Sequence, residues 1–368
     1  MKICTITCHN VYNHGASLQA YALMKYLMKC GHEVEIIDYR PGYLSSQYKL
    51  TNVNSPKWER NLFTRLIYIT LKLPFRIRGL KRKRSFDAFT KQYLKLTPAR
   101  YSSYEELKSA PPQAEAYICG SDQIWNSLHR NGKDPAFYLD FIPDGITKMS
   151  YAASFATDTI ADEYKPLVKK RVERLNGIGV RESSGIKILE ELGVKDAVNV
   201  LDPAFLLTSS EWDQVGAERF DEPYILIYDF DNSQMIKDIA LKLKKKYGYR
   251  IFLVNPNKLG YADRYFTYDG PSTFVSLIRD AKLVISNSYH AVVFSIIYET
   301  EFFIVNRTEA INTRMRDLLN DLNLSSRLIG EGTRSERLTE RIDFKEKKKR
   351  LEEKIAFSKR YLASLLES

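Results

Sequence analysis

Hydrophobic residues along this chain fall into two alternating patterns. Short unbroken runs such as KICTITC, HEVEIIDY, AYIC, KMSYAASF, NGIGVRE, EPYILIYDF, YRIFLVN, LVIS and EFFIV are rich in β-branched and aromatic residues. They predict strands buried on both faces, as in parallel sheets. Between them lie stretches whose apolar residues recur every three or four positions: SLQAYALMKYLMKC, residues 162–175, SSGIKILEELG, residues 233–247 and PSTFVSLIRDA. These predict helices, with Gly31, Gly193 and Gly248 as stops. PAFYLDF reads as a further strand, and NVLDPAFLL as a short strand closed by a Pro turn. The alternation predicts an α/β protein of two doubly wound, Rossmann-like domains. The first runs over 1–207 and the second over 208–345, with a charged closing helix at 346–368.

The stretch Ala281–Phe303 is the strongest single βαβ signal. LVIS hands over to the buried helix AVVFSIIYE through Ser286, Asn287, Ser288 and Tyr289, with His290 at the first turn. Ser and Asn are preferred N-caps. The unpaired N–H groups and dipole of a helix start favour an anion there, at the carboxyl end of a strand. A capping or surface role for His290 is the alternative.

The first βαβ unit lacks the G-x-G-x-x-G of a dinucleotide site; its loop reads CHNVYNHGASLQ. His9, Asn10, Asn13, His14, Gly15 and Gln19 supply groups that suit a polyol or an anion, or that simply build the turn. CGSDQ puts Asp122 and Gln123 at the same rim, after another strand.

Composition narrows the classes. The 368 residues carry a net charge of +11 and 44% hydrophobic residues, an ordinary globular balance that favours anionic ligands or surfaces. No zinc-ligand spacing, RNP-type motif or helix-turn-helix signature points to nucleic acid, and no metal site is expected. Four cysteines without framework spacing read as buried reduced thiols of a cytoplasmic protein; no signal peptide or membrane-spanning run is recognised. Residues 44–100 read as a helical insertion that Pro74 breaks in two. Arg65, Lys72, Arg76, Arg78, Lys81, Arg82, Lys83 and Arg84 alternate there with apolar residues, which suits an anionic membrane surface or a solvated helix face.

HNVYNHGASLQAYAL, CGSDQIWN, SYAASF, GVRESSG, VLDPAFLL and SNSYHAVVFSIIYETEFF resemble, in order and spacing, the polysaccharide pyruvyl transferase family, from residue 1 to about residue 325. The resemblance implies two Rossmann-like domains facing across a cleft (a GT-B-like arrangement), with a C-terminal helix crossing back to the first domain. It also implies transfer of pyruvyl from phosphoenolpyruvate to a hexose, such as a galactose-type residue of a lipid-linked surface-polysaccharide precursor, forming a cyclic ketal. No further cofactor is implied. His290 and Asp122 fall on the family's catalytic positions and Arg181 on a donor-binding arginine. Ser286, Asn287, Ser288, Tyr289 and His290 form the donor-side junction. His9, Asn10, Asn13, His14, Gly15, Gln19 and Gln123 would shape the acceptor side. Some members have an Arg two residues before the histidine, where Ser288 stands, so Arg307 or Arg314 is the expected substitute; Ala291 replaces a frequent Gly. Two other readings stay open: a GT-B-type glycosyltransferase using a sugar nucleotide, and a non-catalytic glycan-binding relative.

Overall fold

Two all-parallel sheets organise the computed structural model, which describes all residues except 46–52, 54–57, 59–60, 256–258, 308–311, 331–332, 334 and 367–368. The first sheet contains β1 (Lys2–Ile6), β2 (Glu33–Tyr39), β3 (Leu96–Tyr101), β4 (Ala116–Cys119), β5 (Thr147–Ala153), β6 (Gly177–Val180) and β7 (Val198–Asn199), in the order β3-β2-β1-β4-β5-β6-β7. The second contains β8 (Tyr224–Tyr228), β9 (Arg250–Val254), β10 (Arg264–Tyr265), β11 (Leu283–Ser286), β12 (Phe302–Val305) and β13 (Leu328–Ile329), in the order β10-β9-β8-β11-β12-β13. The central strands are buried along nearly their whole length, so both faces need apolar residues, as the unbroken runs foretold. This is the doubly wound, GT-B-like pair of domains. Strand order reverses between β1 and β4 in one sheet and between β8 and β11 in the other. Ligands of open α/β sheets bind at such switch points.

Helices α1 (His14–Lys29), α2 (Gly42–Ser45), α3 (Leu62–Tyr93), α4 (Tyr104–Ser109), α5 (Lys165–Val172) and α6 (Ser183–Glu191) accompany the first sheet. Helices α7 (Ser209–Asp213), α8 (Gln234–Tyr247), α9 (Pro271–Asp280), α10 (Tyr289–Ile297) and α11 (Thr313–Asp321) follow, and α12 (Phe344–Leu366) closes the chain. α12 lies against the first sheet. Tyr361 Oη donates to the Ser150 carbonyl (2.9 Å) and Ser358 Oγ accepts from Leu201 N (3.0 Å). Gly177 and Gly179 of β6 make room for it, since a Cβ there would lie 2.1 Å from Leu365 and 2.8 Å from Tyr361.

Several local expectations are corrected. PAFYLDF is a 3-10 turn over Pro135–Tyr138: Asp134 accepts from Ala136 N (2.9 Å), Pro135 sets the first turn and Leu139 is left-handed at φ 57°. The segment 44–100 is not wholly helical, because its end supplies edge strand β3. Pro98 is tolerated there, where one strand side lacks a partner. α3 is one continuous helix with Pro74 inside it rather than two. α1 starts three residues before the Ser17 expected from periodicity, because Asn13 Oδ1 caps Ala16 N (3.2 Å) and draws His14 and Gly15 into the first turn. Cys4, Cys8 and Cys119 are buried free thiols, whereas Cys30 is exposed at the end of α1.

Candidate active site

The two switch points face each other. The loop after β1 and the Gly120–Gln123 turn after β4 approach from the first sheet. Phe230 after β8 and the Asn287–Ser288 cap after β11 approach from the second. A cavity of ≈ 100 Å³ between them is lined by Asn13, Asp122, Gln123, His290, Arg307 and Arg314, among others.

His290 occupies the first turn of α10, after the cap residue Ser288. Two residues from the other domain fix its ring. Gly15 lies so close that a Cβ there would stand 2.0 Å from His290 Nδ1, so the imidazole rests on the bare backbone of α1. Asp202 Oδ2 lies 3.4 Å from His290 Nε2, an ion-pair distance longer than a good hydrogen bond. Asp202 also caps the 3-10 turn after it, accepting from Ala204 N (3.0 Å). Burial would raise its carboxyl pKa, but Arg181 and His290 hold it below the usual value.

Two guanidinium groups flank Tyr289. Arg181 lies 5.0 Å and Arg314 5.3 Å from its ring centre, both in cation–π contact. Asp122 lies between them, its Oδ1 3.7 Å from Arg181 and 3.6 Å from Arg314. Arg181 is wholly buried and also 3.2 Å from Asp202. Among the described residues no hydrogen bond closes on either terminal nitrogen of Arg181 or on Nε of Arg314. Burial works against the Arg181 charge, yet Asp202 raises its pKa; Arg314 is lowered by burial and by the Arg181 charge. An arginine does not give up its proton in a protein, so the Arg314 shift reports a cation short of counter-charge. Buried Glu182 offers only partial relief. Its Oε1 accepts from Ser154 Oγ (3.0 Å) and Ala156 N (2.9 Å), its Oε2 makes no hydrogen bond among the described residues, and burial raises its pKa. The arrangement suits a small anion.

Other expected site residues serve the frame. His9 binds Asp38 through Nε2 (3.2 Å), and Asn10 is buried beside it. Gln19 Oε1 accepts from Ser121 N (3.2 Å) and its amide donates to Thr7 Oγ1 (2.9 Å), tying the β1 loop to the β4 turn. His14 bridges the domains through Tyr228 Oη and the Asp269 carbonyl, each at 3.2 Å. Ser286 donates to the Tyr228 carbonyl, and Asn287 Nδ2 donates to Asp229 (2.8 Å). Gln123 lines the cavity while accepting from Asn126 (2.8 Å). Arg307 lines it too, 3.3 Å from Asp231 and over the Phe230 ring. Arg181 stands behind the wall. Among the described residues no group of three His, Cys, Asp or Glu side chains is arranged to hold a metal ion.

The family model described as polysaccharide pyruvyl transferase matches residues 13–309. The chain belongs to this family. The match takes in the β1 loop from Asn13, the Asp122 turn, Arg181, Asp202 and His290, and ends just before Arg314. No curated protein matches the sequence. Solved structures similar to this pyruvyl transferase family member include a UDP-GlcNAc 2-epimerase from Neisseria meningitidis bound to UDP-GlcNAc, at a TM-score of 0.51 and 12% identity over 100% of both chains. A putative UDP-N-acetylglucosamine 2-epimerase from Listeria monocytogenes matches at 0.51 and 10%, over 96% of this chain and 90% of that one. The UDP-GlcNAc 2-epimerase of Methanocaldococcus jannaschii matches at 0.50 and 11%, over 95% and 93%. At such identities the likeness is one of fold.

Sequence reasoning missed Asp202 and Glu182, and the cavity-lining Phe230, Asn312 and Met315. Leu-Asp-Pro reads as a turn, and Asp202 does cap one; nothing local reveals that its second oxygen faces His290 of the other domain. Glu182, next to Arg181, reads as an ion-pair partner or helix start.

Proposed function

We propose that this family member transfers pyruvyl from phosphoenolpyruvate to two hydroxyls of one hexose in a surface-glycan precursor, with release of phosphate. The observation that carries the reading is the buried Arg181–Tyr289–Arg314 stack, whose guanidinium nitrogens are not all hydrogen-bonded among the described residues, beside His290 and the N-terminus of α10. A carboxylate suits Arg314, which lines the cavity with the buried Arg181 charge behind it, and a phosphate suits the helix start. The cavity, ≈ 100 Å³, fits a three-carbon phosphate better than a sugar nucleotide, since pockets for drug-sized ligands take ~300–1,000 Å³.

The chemistry assigns a donor and an acceptor of protons. His290 protonates the methylene carbon of the enol phosphate while a sugar hydroxyl adds to the central carbon and gives its proton to Asp122. The C–O bond to phosphate then breaks. The second hydroxyl of the same sugar adds to that carbon and its proton leaves with the phosphate, while the proton held by Asp122 passes through solvent to restore His290. One C–H and two C–O bonds form for each phosphate released.

Phosphate release from phosphoenolpyruvate, measured with a panel of galactose- and other hexose-containing acceptors, tests the reading. Turnover is expected to fall about 100-fold or more in His290→Ala. Turnover of a sugar nucleotide in place of phosphoenolpyruvate would favour a glycosyltransferase. Glycan binding without turnover of either would favour a non-catalytic relative.

A further inference from the structure

Half of the large hydrophobic side chains that stand exposed among the described residues, seven of fourteen, fall within Leu62–Ile77, the first half of α3. Scattered surface leucines are ordinary, but a contiguous apolar patch marks an interaction surface. Leu62 and Phe63 are 77% and 73% exposed, and Leu66 and Leu71 are each 62% exposed. At about 100° per residue, Leu62, Leu66, Leu73 and Ile77 share an arc of roughly 60°, and Phe63 and Ile67 widen it. Arg65, Lys72 and Arg76 recur at i, i+7 and i+11 along the flank beside it. A surface helix normally turns such a stripe inward; this one turns it to solvent.

The second half of α3 does the reverse. Phe86 and Phe89 are buried, Arg82 donates to the Tyr12 carbonyl (3.2 Å), and Lys83 pairs with Asp87. Tyr12 belongs to the loop that leads into α1, so α3 is fixed to the frame of the cleft. Its exposed half reaches roughly 24 Å beyond this anchorage, at 1.5 Å per residue.

Charge identifies the occupant. Between Leu62 and Phe86 there are eight Lys or Arg residues and no Asp or Glu. An apolar stripe beside a purely cationic one, on a helix too polar to span a membrane, matches a lipid surface with anionic headgroups. A second copy of this chain would bring Arg65, Lys72 and Arg76 against their own like charges, with no carboxylate in residues 62–77 to offset them. We infer that residues 62–77 lie in the interface of an anionic bilayer, with Leu62, Phe63, Leu66 and Ile77 among the acyl chains and Lys72 and Arg76 at the headgroups. Joined to the transferase reading above, on which this last step rests, the attachment brings the cleft to a lipid-borne acceptor.

Vesicle co-sedimentation of the full chain tests the attachment without turnover, so its failure and that of the transferase reading are separately visible. Wild type is expected on phosphatidylglycerol-containing vesicles and largely free with phosphatidylcholine alone. Phe63→Asp/Leu66→Asp is expected to lose binding while its melting temperature holds, because both sites are exposed. Lys72→Glu/Arg76→Glu is expected to weaken binding roughly tenfold or more. The indole of a Phe63→Trp variant is expected to shift its fluorescence to the blue on anionic vesicles. Absence of wild-type binding, undiminished binding of the Asp variant, or an unshifted indole emission in Phe63→Trp would overturn the inference. So would a wild-type dimer that the Asp variant converts to monomer, since a second copy would then cover the patch.

Discussion

Gly15, Asp202 and His290 come from three distant parts of the chain, yet each constrains the next. Gly15→Ala is a sharp test because the residue lies in a helix, where Ala is otherwise the better former. Its methyl group would collide with His290 Nδ1, so activity is expected to fall at least about 100-fold. Stability is expected to fall only by the roughly 1–3 kcal/mol of an overpacked contact, read from a denaturation curve. Unchanged turnover in Gly15→Ala would show that the ring position is not needed. Asp202→Ala takes from Arg181 its nearest carboxylate, leaving Asp122 at 3.7 Å and Glu182, and removes a turn cap. Breaking a buried pair costs about 3–5 kcal/mol, and a chemical denaturation curve is expected to show a loss of that order. His290, Arg181 and Asp122 are legible in the sequence because their strand ends and family resemblance are local features, whereas Arg314 enters only, with Arg307, as the substitute for an arginine missing beside His290. Asp202 is not legible, because its contact with His290 exists only once two domains have folded against each other.

Elements whose hydrophobic pattern is one-sided or unbroken were read from sequence with little error; those that depend on a cap or a distant partner were not. PAFYLDF has strand-like residues, but Asp134 and Pro135 commit it to a turn. β3, β10 and β13 lie at sheet edges and are short or contain Pro, so no unbroken apolar run announces them. The start of α1 depended on Asn13 rather than on periodicity. α12 reads as a charged helix, and its apolar residues mean little until set against the glycines of β6. Leu362, 1% exposed in that seam, carries an expectation. Leu362→Ala should destabilise the protein by about 2–5 kcal/mol, measured as a lower denaturation midpoint. A change under about 0.5 kcal/mol, normal for a surface site, would show that α12 is not part of the core.

At the scale of the whole molecule the cleft depends on how the two domains are held. His14 is buried against Phe274, their ring centres 4.8 Å apart and nearly parallel, and bonded across the cleft. The Asp269 carbonyl can only accept, so His14 Nε2 carries the proton and Nδ1 accepts from Tyr228 Oη. Burial, helped by nearby Arg82, pushes the His14 pKa well below the ordinary 6.5. The folded protein therefore keeps His14 neutral where the unfolded chain already binds a proton. This stability is fully present above about pH 6.5 and is lost as pH falls below it, by up to about 1.4 kcal/mol per pH unit. Melting temperatures between pH 5 and 7.5 should show the decline, and His14→Gln should flatten it; an equal decline in His14→Gln would assign it to other groups.

The central claim is that Arg314, backed by the buried Arg181–Tyr289 stack, and the start of α10 hold phosphoenolpyruvate. The most direct measurement is a thermal shift with phosphoenolpyruvate against a panel of sugar nucleotides, on wild type, Arg314→Gln and His290→Ala. A ligand at ~100 times its dissociation constant stabilises by about 2.7 kcal/mol, which a melting curve resolves. The account predicts stabilisation by phosphoenolpyruvate alone, reduced in both variants. Stabilisation by a sugar nucleotide with none from phosphoenolpyruvate, or a phosphoenolpyruvate shift undiminished in Arg314→Gln, would contradict it.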